Sequence, residues 1–247
     1  MHLFDINQYQ AIVFDLDSTL TDTHHYPLVA CEWLFKECKI DIEKEMDTYR
    51  RSLVTRYFRS ISEIAEGAPF RTPFEIVRTA MGKSLEDLGY EANEELVEKA
   101  TKLFKSLHIE MTTLHPSVKE LLVKLSSQQK KMGVLSNTFE GHANIILENL
   151  KIRQYFLSVI DCEVVKAFKP MREPFERVLS DLEVEPSDAL YIGDEYYADI
   201  VGASAIGMST LWINSRNYSL EDQITKYGAR TSPDYVTTSI AEFAELL

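Results

Sequence analysis

Ala11-Ile12-Val13-Phe14-Asp15-Leu16-Asp17-Ser18-Thr19-Leu20 is the stretch whose reading decides the fold of this chain. Four apolar residues ahead of a polar turn read as a short strand buried on both faces, the pattern of a parallel sheet. Two carboxylates and a hydroxyl then leave its carboxyl end together. In open parallel α/β sheets that end is where ligands bind.

Four further apolar runs, at residues 132–135, 157–160, 189–192 and 208–213, repeat the strand signal. Helical stripes accompany them. Val118, Leu121, Leu122 and Leu125 make one, Ala143, Ile146, Leu147 and Leu150 the next, and Ile240, Phe243, Ala244 and Leu247 a third. Strand alternating with helix predicts an α/β fold with a doubly wound parallel sheet. The first strand breaks the rhythm, because the chain from Asp22 to about Thr112 reads almost wholly as helix, as with Leu96, Ala100, Leu103 and Leu107. Gly67, Pro69 and Pro73 mark a loop inside it. The stretch is too long for a crossover helix and is expected to be an inserted helical subdomain over residues 22–112. Residues 1–21 and 113–247 then form the core.

The chain has 247 residues, 45% hydrophobic and 26% charged, with 26 basic and 39 acidic side chains and a formal charge of −13. A field of that sign argues against nucleic acid or an anionic membrane surface as partner. A small anionic substrate stays possible, because a local metal or lysine reverses the potential inside a pocket. No apolar stretch is long enough to span a bilayer. Met1-His2-Leu3-Phe4-Asp5 has neither the basic start nor the apolar stretch of a signal peptide. The three cysteines make no disulfide framework, and Cys31, Leu34, Phe35 and Cys38 share one helical stripe. The expectation is a reduced, cytoplasmic protein.

Each later strand also ends in a polar cluster. Ser136-Asn137-Thr138 follows the second, Lys169-Pro170 lies shortly beyond the third, and Gly193-Asp194-Glu195 follows the fourth, with Asp199 one helical turn on. A parallel sheet would collect all of them at one edge. In order and placement these clusters resemble the four motifs of the haloacid dehalogenase-like (HAD) superfamily, specifically its phosphatases: Asp15-Leu16-Asp17-Ser18-Thr19, Ser136-Asn137, Lys169-Pro170 and Gly193-Asp194 with Asp199. The resemblance covers the whole core, including Leu114-His115-Pro116-Ser117-Val118 and Pro233-Asp234-Tyr235-Val236. It implies a Rossmann-like sheet of five core strands in the order 5-4-1-2-3. It also implies that the helical insertion is a cap, with hinges at Thr21–Thr23 and Thr112–His115.

The chemistry that the resemblance implies explains the residue types. A phosphomonoester is dianionic, so an anionic nucleophile approaches it only once charge is neutralised. Asp15, Asp194 and the Asp17 main-chain carbonyl would offer hard oxygen ligands to Mg²⁺. Asp15 would attack phosphorus and carry an aspartyl-phosphate, with Asp17 as general acid and then general base. Thr19, Ser136, Asn137 and Lys169 would bind the phosphoryl group of a small phosphorylated metabolite. Asp199 is expected to partner Lys169 or to stand behind the ligands. Glu195 would reach the metal directly, through water, or not at all.

Ser18 stands where the family usually has glycine, and Lys166 competes with Lys169 for the motif lysine, with Pro170 favouring Lys169. In the insertion His24, His25, Tyr26, Arg56, Tyr57 and Arg71 are candidate substrate contacts, Arg71 foremost for an anion. Tyr196 and Tyr197 either wall the pocket or pack on the following helix. A phosphomutase keeps all four motifs. A haloacid dehalogenase of the same superfamily lacks an aspartate at the position of Asp17. A receiver-like binding module has no use for the insertion.

Overall fold

The computed structural model describes residues 4–247; Met1, His2 and Leu3, read above for a leader, lie outside the described residues. The chain divides into two compact units, one joining the residues up to Asp22 to Thr113–Leu247 and the other being Thr23–Thr112. It enters through β1 (Ala11–Phe14) and β2 (Thr21–Asp22). The second unit follows as α1 (Tyr26–Cys38), α2 (Ile42–Ala65), α3 (Pro73–Asp87) and α4 (Glu94–Met111). The chain returns through β3 (Thr113–Leu114), which pairs antiparallel with β2. Next come α5 (Val118–Ser127), β4 (Lys131–Ser136), α6 (His142–Asn149), β5 (Ser158–Asp161), α7 (Cys162–Val165), α8 (Arg172–Leu182) and β6 (Ala189–Gly193). A π-helical turn over Tyr196–Val201 leads into α9 (Gly202–Ala205), followed by β7 (Ser209–Ile213), α10 (Leu220–Tyr227), β8 (Tyr235–Thr237) and α11 (Ile240–Glu245).

The main sheet is parallel throughout, in the order β5-β4-β1-β6-β7-β8. Read from β7 to β5, this is the strand order that the family resemblance implies. The expectation of five strands is corrected to six, because β8 pairs beside β7 with Leu211 opposite Tyr235. Its three residues are half-buried, exposed and buried in turn, so it is a short edge strand without the apolar run that marked the others. Ala11 and Val13 of β1 pack with Phe175, Val178, Leu179 and Leu182 of α8 and Ala203 of α9. Ile12 and Phe14 alternate with them, point to the other face, and are equally inaccessible. β1 is therefore covered on both sides.

In the helical unit the starts of α2, α3 and α4 are each capped by a side chain. Asp41 accepts from Lys44 N to cap α2, and Asn93 accepts from Leu96 N to cap α4. Thr72 and Glu75 form a capping box around Pro73 at the start of α3, an arrangement worth about 1 kcal/mol per cap. Packing of α1 on α4 and of α2 on α3 buries Leu34, Phe35, Tyr49, Ile76, Met81 and Ala100. The Tyr49 hydroxyl donates to Met81 O at 3.2 Å, so its one polar atom is satisfied in this core. Cys31 is buried and Cys38 half-buried, both as free thiols. Among the described residues no helix is long and apolar enough to cross a membrane.

Candidate active site

The site is built on the carboxyl edge of the main sheet. Register puts Phe14 opposite Val134 on one side and Ile192 on the other, so the chain beyond all three emerges together. Asp15 N donates to Ile192 O at 2.9 Å, which carries the ladder one residue further and places the buried Asp15 side chain at the edge. The chain then winds around one carbonyl: Leu16 O accepts from Leu20 N, Thr21 N and Thr21 Oγ1 at 3.0–3.1 Å. Inside this turn Ser18 has φ 64°, the left-handed conformation that glycine adopts freely. The family's preference for glycine at this point thus has a steric cause, and serine bears a cost of about 1 kcal/mol. Thr19 Oγ1 donates to Asp194 Oδ1 at 3.5 Å, and Ser136 Oγ to Asp17 Oδ2 at 3.4 Å.

Lys169 is the hub. Its Nζ donates to Asp15 Oδ1 at 2.6 Å, Asp199 Oδ1 at 2.8 Å, Leu135 O at 3.0 Å and the Tyr191 hydroxyl at 3.1 Å. Lys166 instead ends α7 with a left-handed φ of 54°. Asn137 fixes the Lys169 backbone by two bonds, accepting from Lys169 N at 2.8 Å and donating to Lys169 O at 3.0 Å. Those two bonds engage both ends of the amide, so the Asn137 side chain orients the lysine. Asp199 is held as firmly: Tyr191 donates to its Oδ1 at 3.1 Å and Glu195 N to its Oδ2 at 2.9 Å. This geometry requires Gly193, where an added Cβ would lie 2.3 Å from Asp199 Oδ2. Gly202 serves the same end from behind, letting α9 approach Phe175 and the Pro170 backbone.

Burial pushes the Asp15 carboxyl up to about 7, with Lys169 opposing and the Asp199 and Asp17 charges reinforcing. Asp194 is raised too, first by burial and then by Asp15, Glu195 and Asp199, with Arg216 opposing. Burial pulls Lys169 down, but Asp15 and Asp199 outweigh it and keep the amine a cation. Five acidic side chains (Asp15, Asp17, Asp194, Glu195, Asp199) thus face two basic ones, Lys169 and Arg216. Asp15, Asp194 and Asp199 each offer a buried oxygen within 4.8 Å of the others. Both oxygens of Asp199 are committed, to Lys169 and Tyr191 and to Glu195 N, so Asp15 and Asp194 are the carboxylates that could hold a cation. An all-oxygen, over-acidic and buried donor set suits a hard divalent cation.

The fold brings together Asp15, Asp17, Thr19, Ser136, Asn137, Lys169, Asp194, Glu195 and Asp199. Arg71 lies in the helical unit, paired with Glu63 at 3.0 Å. Arg56 grips Asp87 with two bonds of 2.9 and 2.6 Å. Tyr26 packs on Phe104 and His108, and Tyr57 on Phe58, while His24 and His25 are exposed. Tyr196 meets Trp212 edge-on and stacks on Tyr227, as does Tyr197, so both tyrosines pack toward α10. Two residues escaped the sequence reading: Tyr191 beneath Lys169, and Arg216, which bridges Asp194 at 2.8 Å and Glu195 at 2.5 Å.

The family model for haloacid dehalogenase-like hydrolases matches residues 12–213. The chain belongs to that family. It is a hydrolase by that membership, and relatives of nearly equal length agree. It is 24% identical over 241 residues to glyceraldehyde 3-phosphate phosphatase of Pyrococcus furiosus, spanning 96% of this chain and 92% of the relative. It is 26% identical over 254 residues to human N-acylneuraminate-9-phosphatase, spanning 98% and 95%. The magnesium-bound crystal structure of the HAD-hydrolase YfnB of Bacillus subtilis superposes with a TM-score of 0.76 at 24% identity, covering 97% of this chain and 98% of that one. L-2-haloacid dehalogenase of Xanthobacter autotrophicus superposes at 0.72 with 18% identity, covering 96% and 98%, and so shares the haloacid dehalogenase-like fold.

Proposed function

We propose that this hydrolase is a Mg²⁺-dependent phosphomonoesterase acting on a small phosphorylated metabolite through an aspartyl-phosphate on Asp15. The observation that carries the reading is the buried Asp15–Lys169 pair set beside a second buried carboxylate, Asp194, at the sheet edge. Phosphatases of two different substrates among the relatives support the reaction class and leave the metabolite open. The helical unit is assigned the part of the family's cap, which sets substrate choice.

When bound, Mg²⁺ would be held by Asp15, Asp194 and the Asp17 main-chain carbonyl and would supply neutralising charge to the phosphoryl group. Lys169 holds Asp15 Oδ1, so the other carboxylate oxygen is the one that attacks phosphorus. The ester P–O bond breaks, and the leaving oxygen takes the proton of Asp17. Asp17 then removes a proton from water, whose oxygen attacks the same phosphorus and expels the Asp15 carboxylate. Ser136, within reach of Asp17, positions that acid and binds a phosphoryl oxygen. A haloacid dehalogenase needs no proton donor two residues beyond its nucleophile, and Asp17 speaks against that chemistry here.

The test is hydrolysis of p-nitrophenyl phosphate and a panel of small phosphomonoesters, with and without Mg²⁺. Turnover should require the metal and vanish with a chelator. Full activity in excess EDTA would sink the reading.

A further inference from the structure

Arg216 stands on a loop built to present it. After β7, Asn214 closes Asn214–Tyr218 into a tight turn, accepting from Tyr218 N and donating to Tyr218 O, both at 2.9 Å. Asn217 N adds a bond to Asn214 O, and Asn217 takes a left-handed φ of 54°. The base of the turn is anchored by Asn214 N donating to Thr237 O on β8. From the turn the guanidinium reaches back to the carboxyl end of β6, where Nη2 engages Asp194 Oδ2 and Nη1 engages Glu195 Oε1. It also lies over the Tyr218 ring, 5.9 Å from its centre. The Arg216 side chain is 39% exposed, whereas the Asp194 side chain it holds is 3% exposed. The contact therefore joins the rim of the site to its buried interior.

We propose that Arg216 is a positioning residue that sets the charge of the candidate metal site, lowering its affinity for Mg²⁺ and raising its affinity for a phosphate dianion; this rests on the metal-dependent reading above. One Asp194 oxygen is taken by the guanidinium, which leaves the other, beside Thr19, for the cation. Asp194 is thereby limited to single-oxygen coordination. Glu195 is paired by the same fork and drawn away from direct ligation. The five acidic groups would bind a divalent cation tightly yet repel a dianionic ester, and one fixed positive charge moves both tendencies in opposite directions. A unit charge a few ångströms from a divalent ion changes its affinity roughly tenfold even under near-aqueous screening.

The experiment is calorimetric titration of the metal-free full-length protein with MgCl₂, then of the Mg²⁺-saturated protein with inorganic phosphate. Arg216→Gln should bind Mg²⁺ roughly tenfold more tightly than wild type and phosphate correspondingly more weakly. Arg216→Lys, which keeps the charge without the two-pronged bridge, should stay close to wild type for Mg²⁺ and provides a second variant if the glutamine protein does not fold. Mg²⁺ binding no tighter in Arg216→Gln, unchanged phosphate binding, or Arg216→Lys matching Arg216→Gln would each overturn the assignment. A wild-type protein that takes up no Mg²⁺ would overturn the metal-dependent reading and this inference with it. A wild type that binds Mg²⁺ indistinguishably from Arg216→Gln would overturn this inference alone.

Discussion

Gly193→Ala should be among the most damaging single-methyl changes in the protein. The added Cβ would sit 2.3, 2.4 and 2.7 Å from Oδ2, Cγ and Cβ of Asp199. Asp199 cannot yield cheaply, because it is fully buried and holds Lys169, Tyr191 and Glu195 N. Overpacking of this kind costs about 1–3 kcal/mol. Stretching even one of the charge-assisted bonds adds about 1.5–3 kcal/mol. A total of roughly 3–5 kcal/mol corresponds to a fall in melting temperature of roughly 10 °C for a chain of this size. Gly82→Ala is the matched control, since its Cβ would meet nothing closer than 3.8 Å on helix α3. Replacing a helix-interior glycine by alanine stabilises by about 1 kcal/mol. Circular-dichroism melts should therefore move in opposite directions for the same substitution. If both variants melted within a degree or two of wild type, the rigid Asp199 scaffold inferred here would be wrong.

Two further substitutions probe the site directly. Asp17→Asn keeps the nucleophile but removes the acid–base group, a loss of roughly 10²–10⁴-fold. With acetyl phosphate, whose leaving group needs little protonation, it should accumulate a phosphoryl group on Asp15 visible by intact-mass spectrometry; wild-type turnover would refute the assignment. Tyr191→Phe deletes a hydroxyl that accepts from Lys169 and donates to Asp199. Because Lys169 keeps three other acceptors, the expected loss is about 1–2 kcal/mol of stability with a matching drop in kcat, and a variant equal to wild type in both would show the hydroxyl to be idle.

The strands of the main sheet were legible where burial on both faces forces an unbroken apolar run, as in Ala11-Ile12-Val13-Phe14. β8 was not, because Tyr235-Val236-Thr237 covers an edge and has no such run. Carboxylates and a lysine at strand ends stand out in a sequence, since nothing in a packing pattern calls for them there. Tyr191 does not, because inside Ala189-Leu190-Tyr191-Ile192 it reads as one more core aromatic, and its hydroxyl matters only once the Lys169 amine donates to it. Arg216 was hidden for a different reason: a charged residue in a polar turn reads as solvated, and its partners lie on the neighbouring strand's end. The tie from the Asn137 amide to the Lys169 backbone leaves no local trace in a sequence, because both bonds are long-range.

β1 is the first strand in the chain and an interior one in the sheet, with its neighbours beginning at Lys131 and Ala189. Until those segments find it, its backbone has no ladder and its apolar side chains no cover. In the helical insertion, by contrast, α2 and α3 are consecutive and pack on each other, and even the α1–α4 pair lies closer in sequence than β1 does to either of its neighbours. Nearby contacts close quickly and distant parallel pairings slowly. Refolding should therefore assemble the helical insertion first and leave the segment that carries the nucleophile among the last to be shielded. Pulse-labelled hydrogen exchange would read this as early protection in α2 and α3 and late protection at Ile12 and Val13, and the reverse sequence would contradict it. A chain ordered in this way has its chemistry at the point of greatest kinetic exposure, so variants that slow the closing of β1 should lose yield on refolding before they lose activity once folded.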